Sequence, residues 1–310
     1  MTKDDNTGAP EVAKETSAGF VALIGAPNAG KSTLMNQLVG TKVSIVTHKV
    51  QTTRAIIRGI AMDNNAQVVF VDTPGIFRPR RKLDEAMVTT AWGGAKDADI
   101  VALLIDSERG VSEDVEKILN GLANVHQKAV LVLNKIDQVP REKLLAITEK
   151  ANAMADFDQT FMVSALNGDG CKALLSWLGS QMPKGPYLYP EDDVSDLPMR
   201  QLAAEITREK LFLRLHQELP YASHVETESW KETDKDIRID QAIYIERESQ
   251  KKIVIGKKGE TIKAISTAAR KDLMEILEKP VHLFLFVKVR ENWVNDPARY
   301  REMGLEFPRN

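Results

Sequence analysis

The eight residues Gly25-Ala26-Pro27-Asn28-Ala29-Gly30-Lys31-Ser32 fit the pattern GxxxxGK[ST]. They stand between an apolar run, Phe20 to Ile24, and an amphipathic stretch, Lys31 to Val39. A strand, a glycine-rich turn and a helix in that order make a phosphate cradle only when the strand lies inside a sheet and the helix packs on it. This one feature therefore commits the first half of the chain to an α/β architecture. The glycines let backbone N–H groups turn inward around the phosphates, and the helix N-terminus adds partial positive charge. Lys31 can bridge the β and γ phosphates, and the Ser32 hydroxyl, with Thr33 beside it, can ligate Mg²⁺.

The rest of that half repeats the alternation. Val68 to Val71, Ile100 to Ile105 and Ala129 to Leu133 are near-continuous apolar runs, as strands buried on both faces of a parallel sheet require. Leu83 to Ala95, Asp114 to Ala123, Arg141 to Ala155 and Cys171 to Gln181 read as helices between and after them, which makes a doubly wound domain with ligands at the carboxyl ends of its strands. Three motifs fall at such ends. Asp72-Thr73-Pro74-Gly75 places a carboxylate to hold Mg²⁺ through water and a glycine N–H to face a γ phosphate, with Ile76 next. Asn134-Lys135-Ile136-Asp137 offers a carboxylate that can accept both the N1 and N2 hydrogens of guanine, a pairing adenine lacks. Ser164-Ala165-Leu166 can present a backbone N–H to guanine O6. Each string alone could be a turn or a helix cap, but together and in order they specify a GTP/GDP site.

GAPNAGKS, QTTR, DTPG, NKID and SAL resemble the five nucleotide-binding motifs of translation-factor-like small GTPases. The pair GAPNAGKS with QTTRAII is similar to the Era family. In the second half QKKIVIGKKGETIKAI resembles that family's type II KH domain, so the likeness runs from about Gly19 to Leu305. It implies that Thr53 is the switch I threonine that closes on Mg²⁺, with Thr52 as the neighbouring candidate. Lys31, Thr53, Asp72 and Gly75 then form the catalytic set. Many GTPases carry a glutamine where this chain has Ile76, so slow intrinsic hydrolysis is expected. Asn28 could help to hold a K⁺ ion, as related loops do, or simply cap its own turn.

Pro183 to Pro198, with four prolines and four acids, reads as a linker. Beyond it the pattern is helix, strand, strand, helix, strand: apolar positions Leu202, Ile206, Leu211 and Leu215, the runs Ala222 to Trp230 and Asp236 to Glu246, a helix from Glu260 to Leu277 and the strand Val281 to Val289. The expected division is a disordered tail over 1–18, a GTPase domain over 19–182, a linker over 183–198 and a smaller α+β KH domain with a C-terminal tail over 199–310. Gly256-Lys257-Lys258-Gly259 follows the apolar stretch Ile253 to Ile255, with a strand pattern expected before it, and opens a helix with Ile262 and Ile265 on its inner face. In KH domains such a GxxG loop clamps the backbone of about four single-stranded nucleotides. Lys252, Ile255, Ile262 and Lys263 complete the expected RNA-binding set.

Charge has to be read locally. With 42 Lys and Arg against 44 Asp and Glu, the formal charge is -2, which argues against a nucleic-acid partner. Yet Arg247 to Lys271 holds eight bases against two acids, a net +6, whereas His224 to Glu246 holds three against seven. A second basic cluster, Arg78-Pro79-Arg80-Arg81-Lys82, follows DTPG and reads as a surface loop or as a contact to RNA or an acidic membrane. The single cysteine, Cys171, excludes an internal disulfide, and the five histidines show no metal spacing. No apolar run approaches the roughly 20 residues of a membrane span.

The reading is a GTP-hydrolysing switch whose nucleotide state governs how a KH domain holds single-stranded RNA. The family resemblance implies that this RNA is the 3′ end of 16S rRNA and that the role is 30S subunit assembly and rRNA processing. It also implies a monomer in the cytoplasm, with contact to the inner face of the cell membrane as an option. Rival readings are a passive RNA-binding module with a structural nucleotide domain, a P-loop kinase, which NKID opposes, and a tRNA-modification GTPase, for which no catalytic cysteine or cofactor motif is present.

Overall fold

The computed structural model describes residues 15–49, 52–79, 82–291, 297, 300 and 304–307. The tail over 1–14, Gln51 of QTTR, and Arg80 and Arg81 of the second basic cluster lie outside the described residues.

Six strands form the first sheet: β1 (Ser17–Gly25), β2 (Ile57–Asp63), β3 (Ala66–Asp72), β4 (Ile100–Asp106), β5 (Lys128–Asn134) and β6 (Gln159–Val163), in the order β2-β3-β1-β4-β5-β6. All pairings are parallel except that of β2 with β3. Helices α1 (Lys31–Val39), α2 (Lys82–Asp97), α3 (Glu113–Leu122), α4 (Arg141–Asn152) and α5 (Cys171–Gln181) cover both faces. The sheet separates two cores. One contains Val21, Leu23, Leu34, Val68 and Leu174, and the other Ala22, Ile24, Ala91, Leu103 and Ile118. Every residue of β3 and β4 is buried, which is why those strands read as unbroken apolar runs. α3 starts where its sequence directs: the Ser112 hydroxyl accepts the Val115 N–H, and Glu113, Asp114 and Glu116 meet the positive end of the helix.

The second unit comprises α6 (Met199–Arg214), β7 (His224–Glu232), β8 (Ile237–Ile245), α7 (Glu248–Ile255), α8 (Glu260–Leu277) and β9 (Val281–Val289). Its sheet runs β7-β8-β9, with β7 and β8 antiparallel and β8 and β9 parallel. Leu211, Phe212, Ile243, Val254 and Ile265 form one core cluster, and Ile206, Ile239, Ala269 and Leu273 another.

Two local expectations are corrected, and one strand is added. β1 begins at Ser17, which pairs with Ala66, so Ser17 and Ala18 belong to the sheet and not to the tail over 1–18. β2 was unanticipated: its residues join β3 in a hairpin over Asn64-Asn65, with Asn64 at φ 54, a left-handed position that asparagine tolerates. The stretch Ile253 to Ile255 is the last turn of α7, not the end of a strand: Val254 alone is buried, Ile255 is half-buried and Ile253 exposed, and the Gly256 N–H closes the turn on the Lys252 carbonyl at 2.9 Å.

Residues of the C-terminal segment pack back on the first unit. Tyr300 and Leu305 are buried with Leu83, Ala86 and Met87 of α2, and Ala55, Phe77 and Phe307 pack around them.

Candidate nucleotide site and nucleic-acid interface

The loop between β1 and α1 is tightly curled. Asn28 at φ 65 and Gly30 at φ 95 occupy left-handed backbone, and a Cβ on Gly30 would meet the Asn134 amide at 2.2 Å. Lys31 folds over the loop and donates to the carbonyls of Gly25 at 3.2 Å and Ala26 at 3.4 Å. Burial lowers the pKa of this ammonium, and the facing Asp72 opposes that shift. Asp72 is itself fully buried, and burial raises its pKa against Lys31 and three hydroxyl donors.

Those hydroxyls converge on one oxygen. Asp72 Oδ2 accepts from Ser32 Oγ at 2.6 Å, Ser44 Oγ at 3.0 Å and Thr53 Oγ1 at 3.3 Å, while Ser32 Oγ and Thr53 Oγ1 lie 3.0 Å apart. Asp72 Oδ1 is buried and has no hydrogen-bond partner among the described residues. A carboxylate with an orphaned oxygen beside two hydroxyls on one side of a phosphate loop is the all-oxygen donor set that Mg²⁺ takes. The two threonines differ in what they face. The Thr52 hydroxyl bonds Thr47 Oγ1 at 2.6 Å and the Lys49 carbonyl at 2.7 Å, so it faces its own loop. Thr53 alone faces Ser32 and Asp72.

A cavity of about 360 Å³ opens here, lined by Pro27, Asn28 and Gly30 to Thr33 of the phosphate loop, by Ile45 to Lys49, and by Thr52, Thr53, Gly75 and Lys135. Gly75 approaches closely: a Cβ there would sit 3.0 Å from Pro27 N. Thr73 is buried with its hydroxyl on the Leu23 carbonyl, and Ile76 N–H bonds the Gly25 carbonyl at 3.1 Å, which ties the DTPG segment to β1. Ile76 has no polar side-chain atom to orient water. Asn28 Nδ2 donates to the His48 carbonyl at 2.9 Å and links the phosphate loop to the segment before Thr52 and Thr53.

Asn134 holds together the phosphate loop, the NKID turn and the Ser164-Ala165 loop. Its Nδ2 donates to the Ala29 carbonyl at 2.8 Å, and its Oδ1 accepts from the N–H of Lys135 at 2.8 Å and of Ala165 at 3.0 Å. Lys135 bonds Asp106 at 2.6 Å, an acid at the end of β4 that the motif reading missed. Asp137 is exposed in a 3-10 turn, Ser164 and Ala165 are buried, and Leu166 is exposed.

The segment that holds Lys42, Val46, Lys49, Thr52 and Arg54 also meets the second unit. Arg208 Nη2 donates to the Thr52 carbonyl at 2.6 Å. The Arg54 guanidinium donates to the carbonyls of Ser223, Tyr221 and Pro220 at 2.9, 3.0 and 3.3 Å. Lys49 reaches the Phe212 and Leu215 carbonyls at the end of α6. Glu209 accepts from Val46 N–H at 2.9 Å and pairs with Lys42 at 2.7 Å. None of these contacts was legible as a motif.

The loop of the second unit lies between α7 and α8. Gly256 sits at φ 76, where a Cβ would strike Thr261 Oγ1 at 2.2 Å. Gly259 sits at φ 80 with open space over it. Lys252, Lys257, Lys258 and Lys263 are exposed, and Ile255 and Ile262 are half-buried. Ile265 is buried as expected, and Ile262, one turn earlier on the same face at the open N-terminus of α8, is half-buried.

Fold and site together define a P-loop GTPase fused to a KH domain. A family model described as a 50S ribosome-binding GTPase matches residues 20–135, and a KH-domain model matches 218–294. The chain is 68% identical over 310 residues to the GTPase Era of Sinorhizobium medicae, covering 100% of both. It is 71% identical over 295 residues to that of Rhizobium meliloti, covering 95% of this chain and 94% of the other. A solved structure of Era in complex with MgGDPNP and nucleotides 1506–1542 of 16S ribosomal RNA superposes with a TM-score of 0.88 at 37% identity. It spans 93% of this chain and 99% of its own. Aquifex aeolicus Era bound to GDP and aluminium fluoride gives 0.87, with the same identity and coverage. The chain belongs to the Era family, and it is a GTP hydrolase.

Proposed function

We propose that this GTPase binds the single-stranded 3′ region of 16S rRNA through its KH loop and acts as a nucleotide-governed switch in 30S subunit assembly and rRNA processing. The observation that carries this reading is the fit, over nearly the whole chain, to an Era structure that holds both a GTP analogue and 16S rRNA nucleotides. In this reading Lys31 and the inward N–H groups of Gly25 to Thr33 hold the phosphates. Ser32 and Thr53 are the direct ligands of Mg²⁺, and Asp72 holds it through water. The ion, when bound, neutralises charge on the β and γ phosphates. Asp137 and Ala165 N–H read the guanine, and Asn134 and Lys135 fix their loops. Gly256 to Gly259 bring backbone N–H groups against the RNA phosphates.

Position 76 bears on the rate. With isoleucine after the DTPG glycine, the attacking water lacks a side-chain partner there, and hydrolysis by the isolated protein is expected to stay below roughly 1 s⁻¹. A faster turnover refutes this part of the reading. Potassium belongs to the same proposal through Asn28: its Nδ2 donates to the His48 carbonyl at 2.9 Å, so a K⁺ ion would replace that bond and take the carbonyl oxygen together with Asn28 Oδ1 once the amide turns. Equal rates in KCl and NaCl remove it.

The proposal also places the protein, as a monomer, in the cytoplasm, with Arg78 to Lys82 as a peripheral contact to anionic membrane. Sedimentation tests the first and salt-sensitive cell fractionation the second. The decisive experiment is RNA crosslinking in cells with GTP-bound and GDP-bound forms. Crosslinks are expected on the 3′ region of 16S rRNA, and crosslinks scattered over messenger RNA with none on ribosomal RNA overturn the assignment.

A further inference from the structure

We propose that Arg54 and Arg208 are positioning residues for hydrolysis: the KH unit supplies the anchors that hold Thr53 at the phosphate site. Thr53 sits between two anchored neighbours. On one side, the Thr52 carbonyl accepts Arg208 Nη2 at 2.6 Å. On the other, the Arg54 side chain donates to the carbonyls of Pro220, Tyr221 and Ser223. Both guanidiniums lie against one ring, with their carbons 5.3 and 5.1 Å from the Phe212 centroid. Arg208 is oriented in turn by Glu205, which accepts from its Nε at 2.8 Å. Both arginines are almost wholly buried.

Every one of these partners, apart from Thr52 and Arg54 themselves, belongs to α6 or to the segment between α6 and β7. The backbone on either side of Thr53 is therefore fixed by the RNA-binding half, while its hydroxyl is held 3.0 Å from Ser32 Oγ. Burying two guanidiniums against one ring costs like-charge repulsion and desolvation, which the carbonyl bonds and the Glu205 carboxylate offset. Those bonds require the backbone around Thr53 to lie against the second unit. A hydroxyl that must meet phosphate-bound Mg²⁺ within tenths of an ångström gains most from such fixation, since a shift near 1 Å can cost about 100-fold in rate.

The proposal rests on Thr53, not Thr52, being the switch I ligand, and the test separates the two. Full-length Arg54→Lys, Arg208→Lys, Arg208→Met and Thr53→Ala are compared with the parent. Three quantities are read: kcat and KM for GTP, the Mg²⁺-dependent dissociation of a fluorescent non-hydrolysable GTP analogue, and hydrogen exchange of peptides covering 52–60 with that analogue bound. GDP affinity within twofold of the parent certifies the fold, and the lysine variants carry the test where Arg208→Met fails that criterion. Expected for the arginine variants are kcat lower by about tenfold or more, faster analogue release in Mg²⁺ and faster exchange over 52–60. Hydrolysis, release and exchange all within twofold of the parent overturn the positioning role, as does a fall in kcat with release and exchange unchanged. If Thr53→Ala leaves hydrolysis and release intact, the assignment of Thr53 fails, whatever the arginines do.

Discussion

Asn134 stands in a motif read for guanine, yet its amide is spent on protein. It accepts from two N–H groups and donates to one carbonyl, joining the phosphate loop, the NKID turn and the Ser164-Ala165 loop. A buried donor or acceptor left unpaired costs about 1–3 kcal/mol. The Ala29 carbonyl and the Ala165 N–H both lie in buried bonds, so Asn134→Ala is expected to destabilise the nucleotide-free protein by about 3 kcal/mol. Asn134→Asp keeps the acceptor and loses the donor, and about half that loss is expected. Denaturant midpoints of the nucleotide-free forms measure both. An alanine variant as stable as the parent shows that the amide acts on nucleotide alone. The residue type at 134 was legible in the sequence because the motif is contiguous, but two of its three partners were not, since Ala29 and Ala165 are distant in the chain and meet it only through the sheet.

At the scale of elements, the two glycines of the KH loop differ in a way that their shared motif hides. Gly256 closes α7 at φ 76 with Thr261 in the way of any Cβ, whereas Gly259 opens α8 at φ 80 beneath open space. Gly256→Ala must shift Thr261 and the start of α8, so loss of RNA binding is expected together with a lower melting temperature. Gly259→Ala pays left-handed strain of about 1 kcal/mol and no clash, so the fold is retained. Its methyl group then occupies the space a phosphate would use, and RNA affinity is expected to fall about tenfold or more with the melting temperature down by only a few degrees. Unchanged RNA affinity in the Gly259 variant would show that the backbone there does not approach RNA. Strands such as β3 and β4 were legible because they are buried on both faces. α7 was not, because a helix with one buried residue, Val254, leaves no apolar periodicity to read. β2 escaped for a related reason: as an edge strand with an antiparallel partner, its alternation is diluted by Gly59 and Arg58.

For the whole molecule, the formal charge of -2 suggests indifference to RNA, and the fold shows why that sum misleads. The acids of β7 and β8 are partly neutralised in place, with Glu228 on Lys288, Asp240 on Arg238 and Glu232 on Lys279. Lys252, Lys257, Lys258 and Lys263 instead stand exposed around the KH loop, at the opposite end of α7 from the strand that precedes it. If these four neutralise phosphates of a single strand, the logarithm of the binding constant should fall with the logarithm of salt concentration at a slope of about -3, since each contact contributes about -0.7. Replacing Lys257 and Lys258 together by alanine should make the slope shallower by about 1.4 and weaken binding alike for related and unrelated sequences. Titrations of a labelled single-stranded oligonucleotide from about 50 to 200 mM KCl measure both quantities. A parent slope near zero, or a double variant with the parent's slope, would place the RNA phosphates elsewhere on the molecule. The same scale explains what the sequence could not disclose. The Arg208 bond to Thr52 joins residues 156 positions apart, and the Arg54 bond to Ser223 joins residues 169 apart. No periodicity or motif spans such distances, so the two halves were legible as domains while the seam between them, where switch I meets the KH unit, required the fold.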